Sequence, residues 1–149
     1  MDGGLTDTEQ KLRTQANSFE EIISHAATAP IDTIEIAGIK GAVKQWLGDG
    51  YRIGVTTAAW RLDVEYGSEG SPLASAIEAG WIPFLAADIE GNLFECRLVK
   101  FQAGRSLFGS RKYRYRLYRS TDAGHFIFLS EHRSSMKALW GLNKMLAGI

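Results

Sequence analysis

The sequence predicts an α+β domain, on three observations. Apolar residues recur at helical spacing before Gly48 and again after Ser134, and four β-rich runs follow one another between Trp81 and His132 with turn signals between them. The 149 residues suit one domain with one core. Helices segregated from a run of adjacent strands argue for a single antiparallel sheet of about five strands. It is expected to pack against N-terminal helices and a C-terminal helix, most simply on one face. Residues 1–80 form the mainly helical part, and 81–149 the β-meander with its closing helix.

The elements follow in chain order. Thr6 opens "TDTE", with Glu9 at capping-box spacing. Leu12, Ala16, Phe19, Ile23 and Ala26 then form one apolar helical stripe. Asp32 and Glu35 repeat the capping-box spacing. Ile31 and Ile36 sit where a hydrophobic staple places them, and Ile39, Val43, Trp46 and Leu47 continue the helix to Gly48. The β-branched "TIEI" offers a short strand as the alternative there. "RLDVEYG" alternates Leu62, Val64 and Tyr66 against Arg61, Asp63 and Glu65, as a half-buried strand does. Pro72 suits the first turn of a short helix with Ser71 as its cap and Gly80 as its end. "WIPFLAADI" and "LFECRLVKF" flank "EGN" as one hairpin. "KYRYRLYR" and "HFIFLSEH" flank "STDAG" as a second. The closing helix begins at Ser134 or Ser135 and carries Met136, Leu139, Trp140, Leu142, Met145 and Leu146.

A formal net charge of zero conceals a division. Residues 1–95 hold fifteen Asp and Glu against six Lys and Arg, and residues 96–149 hold two against eleven. Such asymmetry between halves points to nucleic acid or to an acidic surface, or else to acidic and basic elements that neutralise each other inside the fold. One cysteine, Cys96, allows no internal disulfide and no C-x-x-C metal pair, which fits a reducing compartment. With no long apolar run for a membrane span and a polar, acidic N-terminus, the expectation is a cytoplasmic protein with no membrane partner.

Chemistry concentrates in "RKYRYRLYR", Arg111 to Arg119. In an extended chain Lys112, Arg114, Arg116 and Tyr118 share one face, and Tyr113, Tyr115 and Leu117 share the other. Cations with aromatic planes are what phosphates and unstacked bases require. The candidate nucleic-acid-binding residues are therefore Arg105, Arg111, Lys112, Arg114, Arg116, Tyr118 and Arg119. The competing reading is a solvated strand whose cations discourage sheet-to-sheet pairing. Acids such as Glu20, Glu21, Asp63 or Glu65 packed against the stripe would favour that reading.

The other motifs lead less far. Asp88 with Glu95-Cys96-Arg97 has the outline of a Mg²⁺-dependent nuclease site, but an arginine in the place of a lysine makes a poor base. Cys96, between Phe94 and Leu98 on one strand face, reads as an inert buried thiol. His125 and His132 are seven residues apart, which places them on opposite strand faces and argues against a shared metal. "GDG" and "GSEGS" lack the Gly-Lys-Ser/Thr ending of a phosphate loop. No cofactor or metal is expected. The leading expectation is a non-enzymatic nucleic-acid-binding accessory protein for DNA or RNA. A protein-binding module of inhibitor or immunity type is the alternative, and a nuclease the third reading.

Overall fold

The computed structural model describes residues 17–48, 72–87 and 92–146. The elements are α1 (Phe19–Ser24), α2 (Thr33–Gly48), α3 (Pro72–Ala79), β1 (Trp81–Ala87), β2 (Leu93–Arg105), β3 (Arg111–Ser120), β4 (Phe126–His132) and α4 (Ser135–Leu146). The strands form one antiparallel sheet in the order β1-β2-β3-β4, a simple meander. The α+β class is as expected, and among the described residues the sheet has four strands. The strand expected in "RLDVEYG", the "TDTE" box and the Ser71 cap all lie outside the described residues.

Local sequence explains most of the element boundaries. The Glu35 amide donates to Asp32 Oδ1 at 2.8 Å and the Asp32 amide donates to Glu35 Oε2 at 3.1 Å, a reciprocal capping box that starts α2. Ile31 and Ile36 are both buried in the same cluster, as a staple requires. "TIEI" is therefore helical. Ser134 caps α4, its Oγ accepting the Lys137 amide at 3.1 Å. Gly80 joins α3 to β1 with φ +95°, and a Cβ there would sit 2.6 Å from the Ala29 carbonyl oxygen, so both conformation and space select glycine. The stripe from Leu12 to Ala26 predicts a continuous helix; Leu12 and Ala16 lie outside the described residues, and Asn17 and Ser18 are not helical. Asn17 pairs its backbone with Phe126 of β4, and Ser18 Oγ accepts the Glu21 amide at 3.3 Å as the N-cap of α1.

Strand alternation then divides the core in two. On one face, Phe94, Cys96 and Leu98 of β2 and Tyr115 and Leu117 of β3 pack with Ile36 and Ile39 of α2, Leu73 and Ile77 of α3, and Leu139 and Leu142 of α4. On the other, Val99, Tyr118, Phe126 and Phe128 pack against Phe19 of α1. Helices thus cover both faces, not one, because α1 crosses behind the sheet. Arg97 reinforces α1. Its guanidinium lies 4.3 Å from the Phe19 ring centroid and 4.5 Å from those of Trp81 and Phe126, while its Nε donates to Glu95 at 2.6 Å.

A buried polar group ties α2 to the sheet. Lys100 is 6% exposed, and its Nζ donates to Glu35 Oε2 at 2.8 Å. The Tyr115 hydroxyl donates to Glu35 Oε1, and the Lys100 ammonium lies 4.5 Å from the Tyr113 ring centroid. Removing one partner of a buried pair leaves the other charge without compensation. Lys100→Met is therefore expected to lower the unfolding free energy by about 3 kcal/mol in urea titrations. The double variant with Glu35→Gln should lose less than the sum of the two single changes. An unchanged urea midpoint for Lys100→Met would show that the contact holds nothing.

Candidate functional site

Strand length creates the most distinctive surface feature. β1 pairs with β2 only as far as Val99, and β4 pairs with β3 only as far as Tyr115. The segment around Thr28 covers the edge of β2 a little further, with the Ala29 amide donating to the Lys100 carbonyl at 3.1 Å and the Gln102 amide to the Ala27 carbonyl at 2.7 Å. Beyond Gln102 the β2–β3 hairpin continues as a two-stranded ribbon. A register shift lies between Gln102 and Gly104, and Arg105 and Arg111 form the last pair.

The ribbon ends in an ordered turn. Ser106 exchanges backbone hydrogen bonds with the turn: its amide donates to the Ser110 carbonyl at 2.6 Å, and its carbonyl accepts the Gly109 amide at 3.0 Å. Its Oγ accepts the Phe108 amide at 3.3 Å and the Ser110 amide at 3.1 Å, and Arg105 Nη1 donates to the Gly109 carbonyl at 3.0 Å. Gly109 has φ +83°, a conformation that side chains rarely adopt. At the apex Leu107 and Phe108 are fully solvent-exposed, 101% and 96%.

The structure separates the seven candidate residues. Arg105, Arg111 and Lys112 come together at the ribbon end and are exposed. Arg105 and Arg111 stand directly opposite each other, an arrangement of like charges that disfavours strand pairing. No ion pair joins either of them, or Lys112, to an acid among the described residues. Arg114 is half-buried and borders a small surface cleft with Glu131, His132 and Arg133. Arg116 is already engaged. Its Nε donates to Glu131 at 2.9 Å, and its guanidinium lies 4.1 Å from the Phe101 ring centroid. Arg119 lies on the opposite sheet face, 4.0 Å over Phe94. Tyr118 shares a face with Arg116 as alternation predicts, but that face carries the second apolar cluster, and Tyr118 is buried. Burial pushes its phenol pKa up, with Arg116 pulling it partly back. The acid that neutralises part of the stripe is thus Glu131 of the neighbouring strand. Glu20 and Glu21 form no ion pair with it, and Asp63 and Glu65 lie outside the described residues.

Leu107 and Phe108 were not among the residues singled out from the sequence. Their signal is present in "RSLFGS", where a bulky apolar pair interrupts a Gly/Ser-rich basic loop.

Other chemistry is sparse here. A cleft of about 260 Å³ between α1 and the sheet is bordered by Glu21, His25, Arg116 and Tyr118, but its cation is the one held by Glu131. Glu95 is occupied by Arg97, and Asp88 lies outside the described residues. Among the described residues no cluster of His, Cys, Asp and Glu has the makings of a metal site, and no helix is long and apolar enough to cross a membrane. No family model, curated protein or solved structure matches the chain.

Burial also shifts the protonation of Cys96 and His132. Burial raises the Cys96 thiol to about 12, with Arg119 opposing and Glu95 assisting. Native Cys96 is therefore expected to resist a thiol reagent at pH 8 and to react fully in urea. Equal rates in both conditions would contradict its burial. The His132 ring lies against Gly141 of α4 and hydrogen-bonds through Nε2 with Ser130 Oγ at 2.8 Å. Burial lowers its pKa below the ordinary 6.5, against the pull of Glu131. The unfolded chain then binds this proton more readily, so the contribution is complete above pH 6.5 and is lost as pH falls toward the lower folded value. The urea midpoint should drop on going from pH 7.5 to 5.5, and drop less in His132→Gln. An equal drop in both would exclude His132 as the cause.

Proposed function

We propose that this protein is a non-enzymatic nucleic-acid-binding accessory protein that holds the phosphate backbone with the basic end of its β2–β3 ribbon. One observation carries the reading: the Arg105–Arg111 pair, with Lys112 one rung behind, has no acidic partner among the described residues. Opposed like charges weaken strand pairing, and the Arg105 contact with the Gly109 carbonyl asks for no cation at Arg111 or Lys112, whereas a polyanion laid across the rung relieves the repulsion. Departures from local rules of this kind cluster at functional sites.

The contact set centres on Arg105, Arg111 and Lys112, with Arg114 beside them. Arg116, Tyr118 and Arg119 act in support, since each is engaged in packing or pairing that shapes the strand. A sheet face for stacking single-stranded bases is not supplied by the tyrosines, because Tyr115 and Tyr118 are buried and Tyr113 is half-buried.

Fluorescence anisotropy with a labelled duplex, across a range of salt concentrations, tests the proposal. Log affinity is expected to fall linearly with log salt, and each phosphate-contacting cation removed should reduce the slope by about 0.9. The triple variant Arg105→Gln, Arg111→Gln, Lys112→Gln should therefore lose roughly 2–3 units of slope while keeping its fold, since all three residues are exposed. Absence of binding to duplex DNA, single-stranded DNA and RNA at low salt would overturn the proposal.

A further inference from the structure

We propose that Leu107 and Phe108 form an apolar wedge that enters between stacked base pairs of duplex DNA from the minor groove, while Arg105, Arg111 and Lys112 hold the phosphates on either side. The inference rests on the nucleic-acid reading and adds to it a substrate form and a mode of contact.

Three features support the wedge. First, Leu107 and Phe108 are fully exposed at adjacent positions, although water disfavours large apolar side chains; the other exposed large apolar residues among those described, Ile34 and Trp140, stand singly and keep part of their surface covered. Second, the apex is held in shape. Ser106 accepts two backbone amides through one hydroxyl, and Arg105 pins the Gly109 carbonyl, so the apolar pair is presented by an ordered turn. A wedge needs such order, because unstacking a base step is costly and a yielding loop would collapse instead. Third, the charges are placed to serve it. Arg105 lies two residues before Leu107, and Arg111 lies three after Phe108 on the opposite strand. The apolar tip is thus flanked by a cation from each strand, set back from the apex.

Charge complementarity selects the occupant. The minor groove is about 6 Å wide and bordered by phosphates on both sides. Paired strands place opposed residues roughly 5 Å apart at Cα, and the long arginine side chains can diverge from there toward both borders. Insertion of apolar side chains from this groove is known to unstack a step and bend the duplex away, at flexible pyrimidine–purine steps above all. An apolar tip without flanking cations fits a protein groove equally well. A polyanion with a separable stack at its centre matches both halves of this one.

The full chain and the Leu107→Ser, Phe108→Ser double variant, compared on a duplex carrying fluorophores at its two ends and a central TA step, test the proposal. The parent is expected to bring the ends closer on binding. The double variant should bind roughly 10- to 100-fold more weakly, keep the parent's salt slope and leave the duplex straight. Both residues are fully exposed, so near-UV circular dichroism should confirm an unaltered fold. Equal bending and affinity in the two proteins would overturn the wedge and leave the phosphate-binding ribbon standing. Absence of duplex binding by the parent at low salt would remove both. Binding to anionic lipid vesicles through Leu107 and Phe108, with no bending of DNA, would assign the tip to a membrane surface and overturn the wedge.

Discussion

The contact among Glu35, Lys100 and Tyr115 is the constraint on which the remaining geometry depends. Glu35 acts twice. Its backbone amide and carboxylate complete the capping box that starts α2, and the same carboxylate receives Lys100 of β2 and the Tyr115 hydroxyl of β3. One side chain therefore orients a helix and clamps two strands. The clamp sits where β2 has just lost β1 as a partner, two rungs before the ribbon departs beyond Gln102. A buried lysine without this carboxylate would be costly, and the fold keeps it because the ammonium, the carboxylate and the phenol satisfy one another.

A second polar group plays the matching part on the opposite face. Arg97 lies among three rings contributed by α1, β1 and β4 and is paired with Glu95 on its own strand. The short α1 contributes Phe19, Ile22 and Ile23 to the cluster on this face. It is held by ring packing around this guanidinium and by the backbone pairing of Asn17 with Phe126. The basic half of the chain is accordingly not one surface. Lys100, Arg97, Arg116 and Arg119 serve the interior and its margins, and the ribbon end brings together three exposed cations, Arg105, Arg111 and Lys112, that form no ion pair with an acid among the described residues.

What was legible in the sequence was what neighbouring residues determine. The start of α2 could be read because its capping box and staple lie within six residues. The meander could be read because turn residues separate alternating runs. Burial of Cys96 followed from Phe94 and Leu98 on its own face. Features set by distant partners were not legible. Asn17, expected inside the first helix, is instead paired with Phe126 of a strand far along the chain. Tyr118 alternates outward but is buried, because α1 covers that face. Arg116 is spoken for by Glu131 of β4 and by the Phe101 ring of β2, partners that lie outside its own basic run. The apolar apex was overlooked because a Gly/Ser-rich loop reads as a connection, although "LF" within it was the departure that mattered.

The meander also bears on how the chain reaches its structure. Each strand pairs with its sequence neighbour, so the hairpins close over short stretches and lose little entropy in doing so. The turns from Ser106 to Ser110 and from Thr121 to His125 are closed by the same pattern of backbone hydrogen bonds over the same short span. Glu35, in contrast, must find Lys100 and Tyr115 across 65 and 80 residues. Long-range closure of that kind is slow and comes after local pairing. The ribbon and its tip thus rest on pairing between near neighbours in sequence, whereas the seat of α2 on the sheet rests on contacts between residues far apart in it.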